Sequence, residues 1–86
     1  MTSAKSASEI ADWCAEYLSI VMDLSPDKID RGARFSRLGV DSAIVVSLLT
    51  GLEELLSTEI DPEITIEYKT INGLAGHLAT RQRLTE

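Results

Sequence analysis

The chain has 86 residues and a net charge of −6, and 44% of its residues are hydrophobic but only 5% aromatic. This length predicts one small domain, residues 1–86 with a core at about 6–83. The net negative charge argues against binding to nucleic acid or to an anionic membrane surface. No apolar segment approaches the ~18 residues that a membrane-spanning helix needs, and the N-terminus lacks the apolar core of a secretory signal, so we expect a cytoplasmic protein.

The first 22 residues predict a long amphipathic helix from about Ser6 to Met22. Ser6 and Glu9 have the spacing of a capping box. The apolar residues that follow repeat at helical spacing and predict the buried stripe: Ile10, Cys14, Tyr17, Leu18 and Val21. Trp13 lies at the edge of this stripe and is expected to pack there. Cys14 is the only cysteine, which excludes an internal disulfide and a cysteine-rich metal site, and we expect it to be a small buried hydrophobe.

A connection of unusual length, residues 23–40, follows this helix. Ser25-Pro26-Asp27 is typical of a turn, because proline restricts φ and lacks a backbone donor. Long connections inside small domains are uncommon unless something holds them in place. We expect four apolar side chains to do this by inserting into the core: Leu24, Ile29, Phe35 and Leu38.

The second long helix is predicted from about Ser42 to Ser57, with Asp41 or Ser42 as its N-cap. Seven apolar residues form its buried stripe: Ile44, Val45, Leu48, Leu49, Leu52, Leu55 and Leu56. The opposite face and its edge carry six others: Ala43, Val46, Ser47, Thr50, Glu53 and Glu54. Gly51 costs ~1 kcal/mol relative to alanine in a helix interior. It either permits the close approach of another helix or has no structural purpose.

Two shorter segments complete the predicted fold. Ile64, Ile66 and Tyr68 alternate as in a strand, but no other strand is predicted to pair with them, so a short helical turn at residues 64–68 is favoured. Thr70 then caps a last helix from Ile71 to about Arg83. The sum is an all-α domain with three long helices, one short helix and a long loop between the first two helices.

Charge is distributed unevenly along the chain. Between Leu38 and Tyr68 there is no Lys or Arg, whereas seven carboxylates occur there: Asp41, Glu53, Glu54, Glu59, Asp61, Glu63 and Glu67. Basic residues flank this acidic stretch, with Lys28, Arg31, Arg34 and Arg37 before it and Lys69, Arg81 and Arg83 after it. Because the stretch around Ser42 carries only negative charge, we expect a docking surface for basic partners there.

Ser42 is the main candidate for chemistry. It follows Gly39-Val40-Asp41 at the start of the second long helix, which predicts an exposed hydroxyl suited to covalent attachment. An enzyme is not favoured, because the segment lacks the Gly-x-Ser-x-Gly pattern of a nucleophilic serine and the lone His77 is expected at the surface or edge of the last helix. No His, Cys or Asp cluster has metal-ligand spacing, and no glycine-rich phosphate loop is present. We therefore expect neither catalytic residues nor a metal site.

The segment Phe35–Ser42, which reads Phe-Ser-Arg-Leu-Gly-Val-Asp-Ser, resembles the acyl carrier protein signature F-x-x-L-G-x-D-S. Leu24–Asp30 is similar to the first loop of that family, and Ile66–Ile71 is similar to its F-E-x-P-T-I segment. The resemblance covers Ile10 to Leu78 in order and spacing. It implies a four-helix bundle whose motif serine, here Ser42 beside Asp41, receives 4′-phosphopantetheine from coenzyme A through a phosphopantetheinyl transferase.

The resemblance also implies a function. The thiol at the end of the arm would carry acyl groups as thioesters, and the helix N-terminus would favour the negative phosphodiester. The second helix would meet partner enzymes with basic docking patches, such as acyltransferases and ketosynthases, through Ala43, Val46, Ser47, Thr50, Glu53 and Glu54. The protein would act as a monomer.

Three positions depart from the family pattern. Ala43 stands where a large hydrophobe is usual, Ser47 where glutamate is frequent and Lys69 where proline is frequent. The sequence resembles carriers of polyketide synthases most, and Asp41 argues mildly against a peptidyl carrier. The alternatives are a fatty-acid or peptidyl carrier, an unmodified helical adaptor that uses the second helix only for docking, and a small hydrolase that uses Ser42.

Overall fold

The computed structural model describes the backbone of residues 5–84 and the side chains of residues 5–81. Its five helices are α1 (Ala7–Val21), α2 (Phe35–Leu38), α3 (Ser42–Leu56), α4 (Ile64–Glu67) and α5 (Ile71–Leu84). The predicted all-α fold with three long helices is confirmed. In this part of the chain the strand-like pairing is limited to an isolated antiparallel bridge between Arg34 and Thr70, and no helix is long and apolar enough to cross a membrane. The side chain of Arg83 lies outside the described residues.

The hydrophobic core lies where α1, α3 and α5 meet. The eight largest side chains that are less than 2% exposed lie at its centre: Ile10, Cys14, Leu18, Leu48, Leu52, Ile71, Leu74 and Leu78. Helix α1 packs most extensively along α5, and the inner face of α3 joins the same cluster. Because burial of each Leu or Ile contributes about 1.5–3 kcal/mol, this core holds α3 firmly in position.

Side-chain caps define where α1 and α5 begin. Ser6 Oγ accepts the N–H of Glu9 at 3.1 Å, and Glu9 Oε1 accepts the N–H of Ser6 at 2.9 Å, so the predicted capping box is confirmed. Thr70 Oγ1 accepts the N–H of Gly73 at 2.9 Å, as predicted for the cap of the last helix. Each such cap contributes about 1 kcal/mol.

The long connection between α1 and α3 is more regular than the sequence predicts. A 3-10 turn at Pro26–Lys28 and helix α2 divide it into short segments. Ile29 and Phe35 are each 5% exposed, and Leu38 packs partly buried against the core. The predicted insertion of these three side chains is therefore confirmed.

The predicted burial of Val21 and Leu24 is wrong, since these side chains are 46% and 44% exposed. For Leu24 the cause is a sharp turn after the end of α1. Asp23 adopts a left-handed conformation with φ of 56°, and the N–H of Leu24 donates to the carbonyl of Ser19 at 2.8 Å. This turn leaves Leu24 at the surface, whereas Met22 packs against the core.

Backbone hydrogen bonds join the segment before α2 to the segment before α5. The N–H of Phe35 donates to the carbonyl of Lys69 at 2.9 Å, and the N–H of Asn72 donates to the carbonyl of Arg31 at 3.0 Å. Residues that precede the acidic stretch in sequence thereby become neighbours of residues that follow it.

Gly51 lets the ring of Trp13 lie directly against α3, which resolves the two alternatives for this glycine in favour of close packing. A Cβ atom at Gly51 would lie 2.6 Å from Cη2 of Trp13. The indole stacks on the ring of Tyr17 with centroids 5.2 Å apart, and the Tyr17 hydroxyl hydrogen-bonds the hydroxyl of Ser47. The indole thus occupies the space that a side chain at position 51 would need.

Candidate attachment site at the start of α3

The turn before α3 places Ser42 at the surface. Gly39 ends α2 in a left-handed conformation with φ of 84°, which glycine adopts without strain. Val40 is buried and anchors the turn in the core. Asp41 is the N-cap of α3, since its Oδ1 accepts the N–H of Ile44 at 2.9 Å. Ser42 is therefore the first residue of the helix, and its side chain is exposed.

The hydroxyl of Ser42 is left without an intramolecular role. No group within residues 5–81 hydrogen-bonds to it, because Asp41 already provides the cap. His77 is half-buried at the predicted edge position, and its ring stacks on Tyr68 with centroids 4.4 Å apart. It does not line the cleft at Ser42. The hydroxyl is thus free to be modified, and the structure does not bring the lone histidine to it.

Ser42 lines a cleft of about 470 Å³ between α2, α3 and α4. The other lining residues combine apolar, polar and charged side chains: Arg34, Phe35, Ser36, Val40, Asp41, Val45, Val46, Pro62, Thr65 and Lys69. The buried and half-buried members include Phe35, Val40 and Val45, so the floor of the cleft is apolar. A chain attached to Ser42 would begin at this cleft.

Arg34 and Lys69 give the cleft two positive charges beside Ser42. The sequence predicts a field of one sign around Ser42, and the structure corrects this expectation. The backbone pairing between the segments before α2 and α5 brings both cations to the cleft from outside the acidic stretch. Sequence reasoning missed this pair, although the basic residues on both sides of the stretch and the unusual lysine at position 69 were the available signals.

The outer face of α3 carries the six residues predicted to meet partners. Ala43, Val46, Ser47, Thr50 and Glu54 are exposed, and Glu53 is half-buried. Three polar groups among them have intramolecular partners: Ser47 bonds to Tyr17, the Thr50 hydroxyl donates to the carbonyl of Val46 at 2.9 Å, and Glu53 Oε2 accepts the N–H of Ile60 at 2.8 Å. Val46 and Glu54 are therefore the side chains most available to a partner.

Cys14 does not offer a second site for chemistry. Its side chain is 0% exposed, as predicted for a small buried hydrophobe. Burial raises the pKa of the Cys14 thiol to about 12, so the reactive thiolate does not form at neutral pH.

The whole chain except its two ends matches a known protein family. Residues 6–78 match the family described as the phosphopantetheine attachment site. The chain belongs to this family. The group that the family carries is 4′-phosphopantetheine, and acyl carrier proteins of this family are non-catalytic carriers. The resemblance stated from the sequence and the cofactor it implied are confirmed.

Two relatives of this phosphopantetheine-binding chain differ greatly in length. It is 34% identical over 77 residues to one subunit of the phenolphthiocerol/phthiocerol polyketide synthase of Mycobacterium tuberculosis, which is 90% of this chain but 4% of that protein. It is 29% identical over 75 residues to the acyl carrier protein TtuC of Teredinibacter turnerae, which is 87% of this chain and 86% of that protein. The chain thus spans most of TtuC but only a small part of the polyketide synthase.

A solved structure shows the same fold. A free-standing peptidyl carrier protein from Acinetobacter baumannii superposes with a TM-score of 0.83 at 28% identity, over 88% of this chain and 95% of that chain. The predicted carrier-protein bundle is confirmed, and this fold is common to acyl and peptidyl carriers.

The residues at the start of α3 fit an attached 4′-phosphopantetheine group. The exposed hydroxyl of Ser42 offers an oxygen for a phosphodiester. Arg34 and Lys69, which line the same cleft, would complement the negative charge of such a phosphodiester, and Phe35 and Val45 would offer apolar surface to the pantetheine part.

Proposed function

We propose that this protein is an acyl carrier protein that holds biosynthetic intermediates as thioesters on a 4′-phosphopantetheine arm attached to Ser42. The observation that carries the proposal is the exposed Ser42 hydroxyl, which no other described residue engages because Asp41 caps the helix. The family match supports the identity of the arm.

The proposed attachment is a phosphoryl-group transfer to Ser42. Ser42 Oγ bonds to the phosphorus of the pantetheine phosphate in coenzyme A, and the bond from this phosphorus to the bridging oxygen breaks. The leaving group is 3′,5′-ADP, and the hydroxyl proton passes to a base of the transferase. Asp41 keeps the first turn of α3 in place, so that Oγ stays at the surface. Once attached, the arm supplies a terminal thiol that forms thioesters.

The remaining residues act as a rigid support for the arm. The buried core of α1, α3 and α5 fixes the position of Ser42, while the arm itself is flexible. A tethered intermediate reaches several active sites in turn at a high effective concentration, without being released into solution.

We propose that partner enzymes dock on the outer face of α3. Val46 is 49% exposed and supplies an apolar contact, and Glu54 supplies negative charge to basic patches on the partner. Charge complementarity of this kind affects the rate of encounter and the choice of partner more than the final affinity. The expected partners are a phosphopantetheinyl transferase and synthase enzymes such as acyltransferases and ketosynthases.

Polyketide biosynthesis is the pathway type that we propose. The similarity to part of a polyketide synthase over 90% of this chain supports it. The solved peptidyl carrier has the same fold, so the fold is compatible with both kinds of cargo.

The proposal predicts the mass of the modified chain. Incubation of the purified protein with coenzyme A and a broad-specificity phosphopantetheinyl transferase is expected to raise its intact mass by one phosphopantetheine unit. Ser42→Ala is the matched control, because no described residue hydrogen-bonds to the Ser42 hydroxyl and alanine suits a helix. An unchanged mass of the native sequence, or an equal gain in the alanine variant, would contradict attachment at Ser42.

The same measurement on protein purified from its native cells identifies the cargo. We expect an acyl group of the polyketide type in thioester linkage to the arm. An aminoacyl group would assign the chain to the peptidyl carriers instead, and a protein that is always bare at Ser42 would favour the unmodified adaptor.

A further inference from the structure

The cleft beside Ser42 carries more positive charge than its own carboxylate balances. Arg34, Lys69 and Asp41 are the charged residues that line it, which leaves one positive charge in excess. Oδ1 of the Asp41 carboxylate also accepts a hydrogen bond from the N–H of Ile44. The cleft is therefore suited to an occupant that carries a single negative charge.

Backbone pairing holds Arg34 and Lys69 at the cleft, and their side chains are available to bind an anion. The N–H of Phe35 donates to the carbonyl of Lys69, and Arg34 pairs with Thr70, so the chain positions on both sides of the cleft are held. Both side chains are exposed, and within residues 5–81 neither forms an ion pair. Arg31, by contrast, is paired with Asp12.

The rest of the cleft wall suits the uncharged part of the same occupant. Phe35, Val40, Val45 and Pro62 give an apolar surface next to the charged rim. A phosphodiester on Ser42 Oγ would start at this rim and carry one negative charge. The pantoyl unit that follows it along the arm bears two methyl groups, which match an apolar wall.

We propose that Arg34 and Lys69 bind the phosphodiester that joins the arm to Ser42, and so hold the first part of the arm in the cleft between α2, α3 and α4. This inference rests on the proposed function, because it requires the arm to be on Ser42. Arg34 and Lys69 are positioning residues in this scheme. They retain the arm between visits to partner enzymes, and a partner that approaches along α3 draws it out.

Nuclear magnetic resonance of the full chain, loaded with ¹³C-labelled phosphopantetheine, tests this inference. In the native sequence we expect nuclear Overhauser effects between the pantoyl methyl groups and Val45 or Phe35. The double variant Arg34→Gln with Lys69→Gln is expected to lose these contacts and to show faster motion of the pantoyl unit than the native protein carrying the same arm. Glutamine at position 69 keeps the backbone N–H and carbonyl.

Arg37→Gln is the matched control, because Arg37 lies exposed on α2 and does not line the cleft. It is expected to keep every arm contact. A salt titration adds a measurement that needs no variant: at 1 M salt, where the screening length is about 3 Å, the native arm is expected to move as in the double variant. Identical arm contacts and motion in the native, control and double-variant proteins would overturn the inference. Failure of the proposed function is a different result, namely no mass gain at Ser42 in the loading reaction.

Discussion

Gly51 is the residue at which two physical effects oppose each other most clearly. Alanine is preferred over glycine in a helix interior by ~1 kcal/mol. A Cβ atom at position 51, however, would lie 2.6 Å from the ring of Trp13, which is itself stacked on Tyr17. Forcing extra atoms into a packed site costs about 1–3 kcal/mol. The steric cost therefore exceeds the gain in helix propensity.

Gly51→Ala is expected to lower the free energy of unfolding by about 1 kcal/mol, which is the difference between ~2 kcal/mol of overpacking and ~1 kcal/mol of helix propensity. Urea unfolding followed by the fluorescence of Trp13, the only tryptophan, measures the change.

Gly76→Ala is the matched control for this substitution. Gly76 lies within α5, and nothing lies within 4 Å of the position that its Cβ would take. The same change there is expected to raise the free energy of unfolding by up to ~1 kcal/mol. If both alanine variants were stabilised equally, the contact between Trp13 and α3 would not restrict position 51.

At the scale of single elements, the capping box of α1 makes the stability of the folded chain depend on pH. The backbone N–H of Ser6 donates to the carboxylate of Glu9, and this bond, with a further contribution from the Ser6 hydroxyl, lowers the pKa of Glu9 below its ordinary value of 4.5. A carboxyl group with a lower pKa in the folded chain binds fewer protons there than in the unfolded chain. Its stabilising effect is therefore present above pH 4.5 and is lost as the pH falls through the folded-state pKa.

Acid is expected to weaken the native protein more than the variant Glu9→Gln. Glutamine keeps an oxygen that can accept the N–H of Ser6 but has no titrating charge. The difference in free energy of unfolding between the native protein and the variant is therefore expected to shrink from about pH 7 to about pH 3. Unfolding curves across this range measure it, and a carbon-detected titration gives the pKa of Glu9 directly. A difference that is constant with pH, or a pKa at or above 4.5, would show that the capping box does not act in this way.

Considered as one molecule, the domain carries positive charge at the cleft by the start of α3 and negative charge near the end of α3. Glu54 lies exposed on the outer face of α3, and Arg34 and Lys69 line the cleft that Ser42 also lines. A partner with a basic patch is attracted to the negative region and repelled by the positive one. Under the proposed function, this arrangement favours approach along α3 and leaves the cleft to the anionic arm.

Glu54→Lys is expected to lower kcat/KM for modification by a phosphopantetheinyl transferase by about threefold to tenfold, mainly through KM, because charges at the rim of an interface act on the encounter. The loss is expected to diminish as salt is added. Asp27→Lys, in the 3-10 turn that packs against α1, makes the same change of charge elsewhere and is expected to have a small effect. Equal losses in the two variants would indicate that net charge matters and that the position on α3 does not.

Local sequence patterns were sufficient to predict the three long helices and α4 and to select Ser42 as the candidate serine, but they did not predict α2. The capping box of Ser6 and Glu9, the cap at Thr70 and the apolar stripes of the long helices all depend on residues three or four apart. Such residues are neighbours on a single helix, so their spacing in the sequence alone predicts that they lie side by side. The sequence left Asp41 and Ser42 as alternative caps of α3, and the structure assigns the cap to Asp41 and leaves Ser42 exposed.

Contacts between distant segments could not be predicted in this way. The meeting of Arg34 and Lys69 at one cleft, the indole of Trp13 against Gly51 and the exposure of Leu24 each depend on how the chain returns to the core after a turn. A periodic pattern shows which side of a helix is apolar, but it carries no information on which loop will lie beside which helix. Packing of α1, α3 and α5 around a shared core sets those neighbours, and with them the charge around Ser42.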